Sequence, residues 1–359
     1  MNRKQLLPAV AGDAGPPGFA DRIVRWQATH GRSGLPWQGS CDPYRVWLSE
    51  IMLQQTQVAT VLGYYERFLA RFPDVQALAA APLDEVLGLW SGLGYYSRAR
   101  NLHGCAQRVV LDHGGAFPRS AQALQTLPGI GRSTAAAIAA FCFGERVAIL
   151  DGNVKRVLAR VLGFGQDLAL PRNERALWDR AQDLLPAASG DMPAYTQGLM
   201  DLGATVCLAR APSCPSCPVR ADCLARLQGE PERYPVRTRK LKRSAQSLWL
   251  LQAQREDGAV WLERRPDRGV WAGLYCLPVY ESEADLRRAL PSGASLREGE
   301  PFVHVLTHKD LHLHPVRSDG GLHRPSGPGA WFGAHQWPRL GLPAPVRKLL
   351  ESQQRTGTA

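Results

Sequence analysis

The chain has 359 residues, 45% of them hydrophobic, and carries a formal net charge of +11 at pH 7. Its length suits two folded domains with substantial cores, and no apolar run approaches the roughly eighteen residues that span a membrane. Residues 1–18 lack the apolar segment of a signal peptide, so we expect a flexible tail on a cytoplasmic protein. The positive charge favours a polyanionic partner.

The first two predicted helices bring an acidic residue onto an apolar face. One helix runs from Phe19 to about Gly31, and the next begins at Asp42-Pro43, an N-cap followed by a first-turn proline. Three- and four-residue spacing places Glu50 on one face with Val46, Trp47, Ile51 and Gln54. Because burial favours the neutral form of a carboxyl group, Glu50 is a candidate proton donor. The alternative is a structural glutamate paired with an arginine.

Two more amphipathic helices are predicted, from Val58 to Phe72 and from Pro82 through Trp90. The segment from Gly92 to Leu102 follows, with paired tyrosines and two arginines. These residue types suit a wedge and phosphate contacts, which an enzyme needs when it turns a base out of the duplex. The alternative is that the tyrosines belong to the core, which we expect for one of the two.

The stretch from Leu127 to Asp151 organises the chain. The glycines of Leu127-Pro128-Gly129-Ile130-Gly131 predict a tight turn at the start of an alanine-rich helix, roughly Ser133 to Phe143. The amides and the dipole of such a helix terminus attract anions. Asp151 precedes another helical run. A phosphate-binding turn followed by a placed carboxylate predicts chemistry on nucleic acid. The alternative is a generic turn, with Asp151 only an N-cap.

Helical periodicity continues from Asn153 to about Leu208, and four clustered cysteines follow in the pattern C-x6-C-x2-C-x5-C, namely Cys207, Cys214, Cys217 and Cys223. Four thiolates in one short loop bind either zinc or a [4Fe–4S] cluster. Zinc knuckles use two close pairs, and this loop has one. Disulfides are unfavourable in a cytosolic chain. The neighbouring Arg210 and Arg220 would contact DNA phosphate.

The composition changes after the cysteines. Residues 228–246 are rich in proline, arginine and lysine and predict an exposed basic linker, whose charges either reach phosphate or are simply solvated. Strands from Leu248 to Ala253 and from Ala259 to Glu263 flank Glu256-Asp257-Gly258, a hairpin signal. A helix near residues 282–290, a strand around 302–316 and a helix around 345–352 complete an α+β domain. Residues 353–359 form a tail.

The string from Trp47 to Val58 closely resembles the signature of the adenine DNA glycosylases, the MutY family of the helix-hairpin-helix glycosylase superfamily, and the resemblance covers nearly the whole chain after the first twenty residues. It implies a multidomain fold: an all-α helix-hairpin-helix core at residues 19–227, with an iron–sulfur loop at 207–223, and a C-terminal α+β Nudix-like domain at 247–352. It also implies that the four cysteines hold a [4Fe–4S] cluster rather than zinc. The cluster would fasten the loop and take no part in the chemistry.

The resemblance also assigns roles to individual residues. Glu50 protonates N7 of the adenine, Asp151 stabilises the positive charge on the sugar, and Asn153 and Ser133 hold water and the carboxylates. The predicted DNA contacts are Tyr95 as the intercalating residue, Gln55 near the opposite base, Leu127, Gly129, Gly131 and Lys155. The candidate adenine-pocket residues are Trp37, Arg32 and Gln197.

The C-terminal domain is expected to recognise the lesion. Leu306-Thr307-His308 occupies the place of the family's Phe-Ser-His loop, so Thr307 and His308 are candidates for reading 8-oxoguanine, although leucine replaces the aromatic residue. The glutamate-bearing helix of Nudix hydrolases is absent from the sequence. We therefore expect recognition and not hydrolysis in this domain.

The predicted function is base-excision repair. A monomer, cytoplasmic and associated with the nucleoid, would remove adenine opposite 8-oxoguanine or guanine in duplex DNA without cutting the strand. An endonuclease III-like lyase acting on oxidised pyrimidines is the first alternative, but such enzymes carry an attacking lysine where this chain has Ser133. Lys155 lies nearby in sequence and would trap product only adventitiously. The second alternative is a non-catalytic iron–sulfur DNA-binding module, although two carboxylates facing DNA cost affinity.

Overall fold

The computed structural model of the chain describes residues 18–238, 242–291, 294–319 and 327–356. The predicted tail at residues 1–18 lies outside the described residues except for Gly18. Residues 239–241 of the predicted linker and 357–359 of the predicted C-terminal tail also lie outside them. The described chain divides into two compact units, each built from separate stretches of sequence.

The helices in the described ranges, in chain order, are α1 (Phe19–His30), α2 (Pro43–Leu53), α3 (Val58–Arg71), α4 (Val75–Ala80), α5 (Leu83–Trp90), α6 (Ser97–His113), α7 (Ala121–Leu124), α8 (Arg132–Phe143), α9 (Gly152–Val161), α10 (Pro171–Asp183), α11 (Met192–Thr205), α12 (Leu224–Leu227), α13 (Glu283–Arg288) and α14 (Ala344–Thr356). None of these described helices is long and apolar enough to cross a bilayer. The strands are β1 (Ser244–Ala253), β2 (Val260–Arg264), β3 (Tyr275–Cys276), β4 (Val279–Tyr280), β5 (Ser295–Glu298), β6 (Phe302–Val305), β7 (Lys309–Asp319) and β8 (Gly329–Phe332).

The first unit is helical and contains, among its described residues, 18–41, 119–122 and 131–238. Helix α11 lies at its centre, in contact with α1, α8 and α9. The core is built from small and aliphatic side chains, including Ala136, Leu158 and Leu199. The alanines of α8 allow close helix packing, and the Gly144 C-cap in the left-handed region ends this helix. The N-termini of α8 and α9 therefore both belong to this packed helical unit.

The second unit joins helices α2–α6 with the C-terminal α+β part of the chain. Helix α2 begins as the sequence predicts: the Asp42 side chain accepts a hydrogen bond from the Tyr44 amide, and Pro43 occupies the first turn. Large aromatic residues are fully buried in this part, including Trp47, Tyr65 and Trp90. Their burial stabilises the helices that carry the predicted DNA contacts.

The C-terminal part contains two sheets. One has the order β4-β1-β7-β5, with β6 also pairing to β7, and the other has the order β3-β2-β8. Strands β1 and β7 are parallel, with Ser244 opposite Lys309 and Ala253 opposite Ser318. Alternate leucines of β1, β2 and β7 form a core with α14. The described residues thus confirm the expected fold class, a helical core followed by an α+β domain.

Two predicted β features differ in the structure. The predicted strand around residues 302–316 is a hairpin, because β6 and β7 are separate antiparallel strands joined by Leu306-Thr307-His308. This turn contains no glycine or proline, so the sequence carries no break signal there. The predicted hairpin at Glu256–Gly258 keeps its turn, which is closed by an isolated bridge between Gln254, just after β1, and Val260 of β2. The two strands themselves belong to different sheets.

Arg98 in α6 connects two segments of the second unit. Its guanidinium donates to the carbonyl oxygens of Ile51, Met52 and Gln54 at 2.9, 2.9 and 2.7 Å, at the C-terminal end of α2. It also donates to the Gly94 carbonyl at 3.2 Å. The residue is only 8% exposed. The expectation of a phosphate contact is therefore wrong for Arg98, because its donors satisfy carbonyls left unpaired at a helix end.

Replacing Arg98 with methionine removes these donors and keeps a side chain of similar length. We expect the free energy of unfolding to fall by about 3 kcal/mol, because several carbonyls lose their partner. Thermal unfolding followed by circular dichroism measures the loss. Arg108→Met is the matched control, since Arg108 lies on the same helix in an exposed ion pair with Asp112, and its loss should cost below about 1 kcal/mol. Equal losses in both variants would contradict the structural role of Arg98.

Candidate active site and nucleic-acid interface

Glu50 lies near the C-terminal end of α2 and is half-buried. Its helical neighbours Val46, Trp47, Leu48, Ser49, Ile51 and Met52 are all buried. This part of the helix is therefore packed on nearly all sides, and the side chain of Glu50 is partly accessible to solvent. A polar group at such a place, on a rigid packed helix, suits acid–base chemistry on a bound molecule.

Gln55 and Tyr95 share an unusual backbone conformation. Their φ angles are 56° and 50°, in the left-handed region that residues with a Cβ rarely occupy. Each such residue costs about 1–3 kcal/mol, which the surrounding structure has to offset. Arg98 supplies the support, because it binds the carbonyls of Gln54 and Gly94, the residues immediately before these two. Both side chains are exposed, Tyr95 by 43%. The strained backbone conformation therefore goes together with the exposure of these two side chains to solvent.

Tyr95 and Tyr96 lie in the segment from Gly92 to Leu102, which we call the wedge segment, and they have different surroundings. The Tyr95 ring lies over the Arg98 guanidinium, 5.4 Å from ring centroid to Cζ, and its hydroxyl shares a hydrogen bond of 2.7 Å with Thr307 Oγ1. Tyr96 is half-buried and its hydroxyl donates to the Leu342 carbonyl at 2.6 Å. The expectation that one of the pair has a packing role therefore applies to Tyr96.

Thr307 and His308 lie exposed at the turn between β6 and β7. Arg243 fixes this turn by donating to the carbonyls of Leu306 and Thr307 at 3.0 and 3.1 Å. A cleft of about 1160 Å³ opens beside it, and its lining includes Gln55, Tyr95, Trp271, Thr307 and His308. The structure thus brings together the residues predicted to contact the opposite base.

The predicted phosphate-binding turn forms as the sequence requires. The Ile130 amide donates to the Leu127 carbonyl at 3.2 Å, and Gly131 is the N-cap of α8. Gly129 has a φ angle of 74°, and a Cβ there would lie 2.6 Å from that of Asn101. Leu127 is buried, whereas Gly129 and Gly131 are exposed. The leucine therefore anchors the turn, and the exposed glycine backbone is open to a phosphate group.

Asp151 lies at the N-terminus of α9, where its side chain accepts a hydrogen bond of 2.7 Å from the Val154 amide. Ser133 Oγ accepts from the Leu150 amide at 3.3 Å and so fixes the residue before it. Burial raises the pKa of Asp151, while the amides of Val154 and Asn153 and the nearby Arg156 and Lys155 act in the opposite direction. The residue is both an N-cap and a desolvated carboxyl group, so the two interpretations of Asp151 are compatible.

The other α9 residues are held by their own contacts. Arg156 donates to Asn153 Oδ1 at 2.9 Å, to the Gly203 carbonyl at 2.6 Å and to the Cys207 carbonyl at 2.7 Å. The Lys155 ammonium is paired with Glu174. This ion pair holds the amine against a carboxylate and does not favour attack on a sugar.

Two of the three predicted adenine-pocket residues, Arg32 and Gln197, bind one carboxylate that the sequence did not point to. Asp201 in α11 is fully buried and accepts from Arg32 Nε at 2.6 Å and from Gln197 Nε2 at 2.8 Å. Trp37 is buried in the segment after α1. The four-residue spacing between Gln197 and Asp201 was the available signal, since residues four apart share a helix face. Asp201 orients both side chains.

The four clustered cysteines line one small cavity of the first unit. Arg160 of α9 is almost fully buried and donates to Cys207 Sγ at 3.3 Å and to the Leu208 carbonyl at 2.6 Å. The cysteine loop is therefore wrapped around an arginine of the helix that begins at Asp151. Arg160 carried no signal in the sequence, because its partners, Cys207 Sγ and the carbonyls of Leu208 and Ala209, are more than forty residues away along the chain.

The donor set fits an iron–sulfur cluster. All eight cysteines lie in the described ranges and none forms a disulfide. Burial raises the pKa of Cys217 to about 11, and the nearby cysteines also raise it, so thiolates here need a cationic partner. Within the described residues no three side chains of histidine, cysteine, aspartate or glutamate are grouped to share one metal ion. The four thiols of the loop line one cavity, and each would bind one iron atom of a [4Fe–4S] cluster.

Comparison with known proteins places these features in a family. The family described as HhH-GPD superfamily base excision DNA repair protein matches residues 48–181, and the NUDIX domain family matches residues 249–352. A solved structure of a thermostable thymine-DNA glycosylase is similar with a TM-score of 0.53 and 32% sequence identity. This similarity covers 58% of the present chain and 95% of that chain.

Relatives of known name extend the similarity over both halves of the chain. The adenine DNA glycosylase of Buchnera aphidicola subsp. Acyrthosiphon pisum is 33% identical over 342 residues, which cover 93% of this chain and 97% of the relative. The adenine DNA glycosylase of Homo sapiens is 46% identical over 224 residues, which cover 60% of this chain and 40% of the relative. The chain therefore belongs to the adenine DNA glycosylase family, within the helix-hairpin-helix superfamily of base-excision repair proteins.

Proposed function

We propose that the protein removes adenine paired with 8-oxoguanine or guanine in duplex DNA, cleaving the N-glycosidic bond and leaving the strand intact. The similarity to the Buchnera adenine DNA glycosylase, which includes the C-terminal half of the chain, carries this proposal. The similarity to the thymine-DNA glycosylase covers only 58% of the chain. The C-terminal domain, to which we assign the reading of the base opposite the adenine, is part of what this chain shares with that adenine DNA glycosylase.

The chemistry requires a proton donor and an anion. Glu50 would protonate N7 of the flipped adenine, so that the base leaves as a neutral molecule. Asp151 would stabilise the positive charge that develops on the sugar, as carboxylates do in glycoside cleavage. Ser133 and Asn153 hold the backbone and first turn around Asp151 and would order the attacking water. Gln197 and Arg32, oriented by Asp201, and Trp37 would contact the adenine.

Cleavage stops at base removal in this proposal. Ser133 stands where lyases of the superfamily carry an attacking lysine, and a hydroxyl cannot form a Schiff base. The remaining nearby amine, Lys155, is paired with Glu174. Duplex DNA would be gripped at the turn formed by Leu127, Gly129 and Gly131 and opened by Tyr95, with Gln55, Thr307 and His308 meeting the opposite base. The protein would act as a monomer.

Cys207, Cys214, Cys217 and Cys223 would hold a [4Fe–4S] cluster. When bound, the cluster supplies iron–thiolate bonds that cross-link the loop. The protein's own contribution is Arg160, whose donors meet Cys207 Sγ and the neighbouring carbonyls. A fixed loop would present Arg210 and Arg220, both exposed, to DNA phosphate.

The assay for this function uses purified protein in excess over a labelled duplex that holds adenine opposite 8-oxoguanine. We expect strand breaks in the adenine strand only after alkali treatment, because base removal leaves an intact sugar–phosphate backbone. A parallel duplex with thymine glycol tests the endonuclease III-like alternative, which predicts breaks there without alkali. Binding without cleavage of either duplex would favour the non-catalytic alternative.

Glu50→Gln is the matching variant for the proton donor. We expect excision to fall by at least about a hundredfold, since general acid catalysis contributes 10²–10⁴, while binding to the mispaired duplex persists. Glu66→Gln, at an exposed position of α3, should change neither. Loss of binding together with excision in Glu50→Gln would mean that the residue is structural.

Asp151→Asn separates catalysis from stability. Asparagine keeps the N-cap and removes a charge whose burial opposes folding. Burial raises the pKa of Asp151 in the folded state. The buried charge therefore lowers the free energy of unfolding above that pKa, and this loss of stability vanishes below the pKa of unfolded aspartate. We expect excision to be lost while the thermal midpoint at pH 7 stays equal or rises, with the difference from wild type vanishing as the pH falls below about 4.

Asp167→Asn is the control for Asp151→Asn, because its expected effect on the thermal midpoint has the opposite sign. Hydrogen bonds from Thr238 and the Ala169 amide lower the pKa of Asp167. Asp167→Asn should therefore lower the thermal midpoint at pH 7 and leave excision intact. A lower midpoint for Asp151→Asn at pH 7 would show that the Asp151 charge stabilises the fold.

Metal content distinguishes the two candidate occupants of the cysteine loop. We expect about four iron atoms and about four acid-labile sulfides per chain in protein purified without oxygen. Cys217→Ser should lower both and weaken duplex binding, whereas Cys142→Ser, outside the loop, should change neither. One zinc ion per chain and no sulfide would instead assign a tetrahedral zinc site.

A further inference from the structure

A cluster of polar contacts joins the wedge segment to the C-terminal part of the second unit. The Tyr96 hydroxyl donates to the Leu342 carbonyl at 2.6 Å and accepts from the Gly92 amide at 3.3 Å. The Ser91 hydroxyl donates to the same carbonyl at 3.2 Å and accepts from Arg347 Nε at 2.9 Å. We call these four residues, Ser91, Tyr96, Leu342 and Arg347, the joint.

The backbones at the joint are in close contact. A Cβ on Gly88 of α5 would lie 2.0 Å from the Arg339 carbonyl oxygen. A Cβ on Gly341 would lie 2.6 Å from that of Leu87. Only glycine permits such an approach, so the α5 helix and the segment before α14 interlock here. Beside the joint, the backbones of α5 and of the segment before α14 are therefore in direct contact.

Arg347 extends the joint into the C-terminal part. Its Nη2 donates to the carbonyls of Pro338 and Leu340 at 3.1 and 3.0 Å. The segment that receives the Tyr96 hydroxyl is thus bound to α14, and α14 packs into the core of the β-sheets. A displacement at Leu342 would be transmitted to the sheet that carries Thr307.

The joint differs from the contact that lies beside it. Tyr95 and Thr307 meet through a single hydrogen bond between two exposed side chains. That contact has to open if a base is to lie between them, whereas the half-buried joint one residue away can remain closed. The joint is then the element that keeps Tyr95 and Thr307 in register while DNA separates their side chains.

We propose that Tyr96 is a positioning residue for reading the base opposite the adenine, because its hydroxyl fixes the lesion-recognising domain against the segment that carries Tyr95. This inference rests on the proposed function. Neither Glu50 nor Asp151 takes part in the joint. Loosening it should therefore spare the chemistry and weaken discrimination between 8-oxoguanine and guanine, which requires Tyr95 and Thr307 to contact one base together.

The test compares single-turnover excision rates from duplexes with adenine opposite 8-oxoguanine and opposite guanine, using the full chain. For Tyr96→Phe we expect the ratio of the two rates to fall about three- to tenfold, the usual effect of one lost hydrogen bond. The fall should come from the 8-oxoguanine duplex, with the guanine duplex unchanged. Ser91→Ala, which removes a second donor to the Leu342 carbonyl, should lower the ratio in the same direction.

Tyr64→Phe is the matched control. Tyr64 lies on α3 and its hydroxyl donates to the Ser91 carbonyl at 2.7 Å, so this variant removes a tyrosine hydroxyl bonded to the backbone of Ser91 and no hydrogen bond to the C-terminal part. We expect its ratio to match that of wild type. An unchanged ratio in Tyr96→Phe and Ser91→Ala, an equal fall in Tyr64→Phe, or equal losses on both duplexes would each overturn the inference. Wild-type protein that cleaves neither duplex would overturn the proposed function itself.

Discussion

The predicted DNA-contacting surface depends on the hydrogen bonds that the buried guanidinium of Arg98 donates to backbone carbonyls. One side chain closes the C-terminal end of α2 and holds the carbonyl before each of two strained residues, Gln55 and Tyr95. Burying this charge is costly, and burial lowers its pKa to about 10, so it remains charged near neutral pH. The charge is retained because a planar group with several donors binds converging carbonyls that no smaller side chain would reach together.

A second arrangement of charge surrounds α9. Asp151 caps its N-terminus, while Arg156 and Arg160 on later turns reach backbone carbonyls of the cysteine loop. A desolvated carboxyl group opposes folding, and the packed core around Leu158 and Leu199 offsets that cost. The first unit thus holds a buried carboxyl group at the start of α9, at a position where its burial opposes folding.

The C-terminal part shows how much of the sheet depends on contacts distant in sequence. Alternation in β1 predicts a strand, and it is one, but its long pairing is with β7, more than sixty residues away, and not with the adjacent β2. Alternating patterns specify which face is buried and leave the partner open. The same limit explains the turn at Leu306-Thr307-His308, where side chains compatible with a strand form a bend closed by the Leu306 amide and the Lys309 carbonyl.

The sequence by itself determined the features that short-range rules control. It determined the start of α2 at Asp42, the turn before α8, the carboxyl group at the N-terminus of α9 and the clustering of four cysteines, because caps, glycine turns and spacing act within a few residues. Only the tertiary structure decided that Arg98 is a buried support and not a phosphate contact, that Asp201 joins Arg32 to Gln197, and that Tyr96 binds Leu342. Each of these bonds links groups whose proximity arises from helix packing or sheet pairing, which local sequence patterns do not encode.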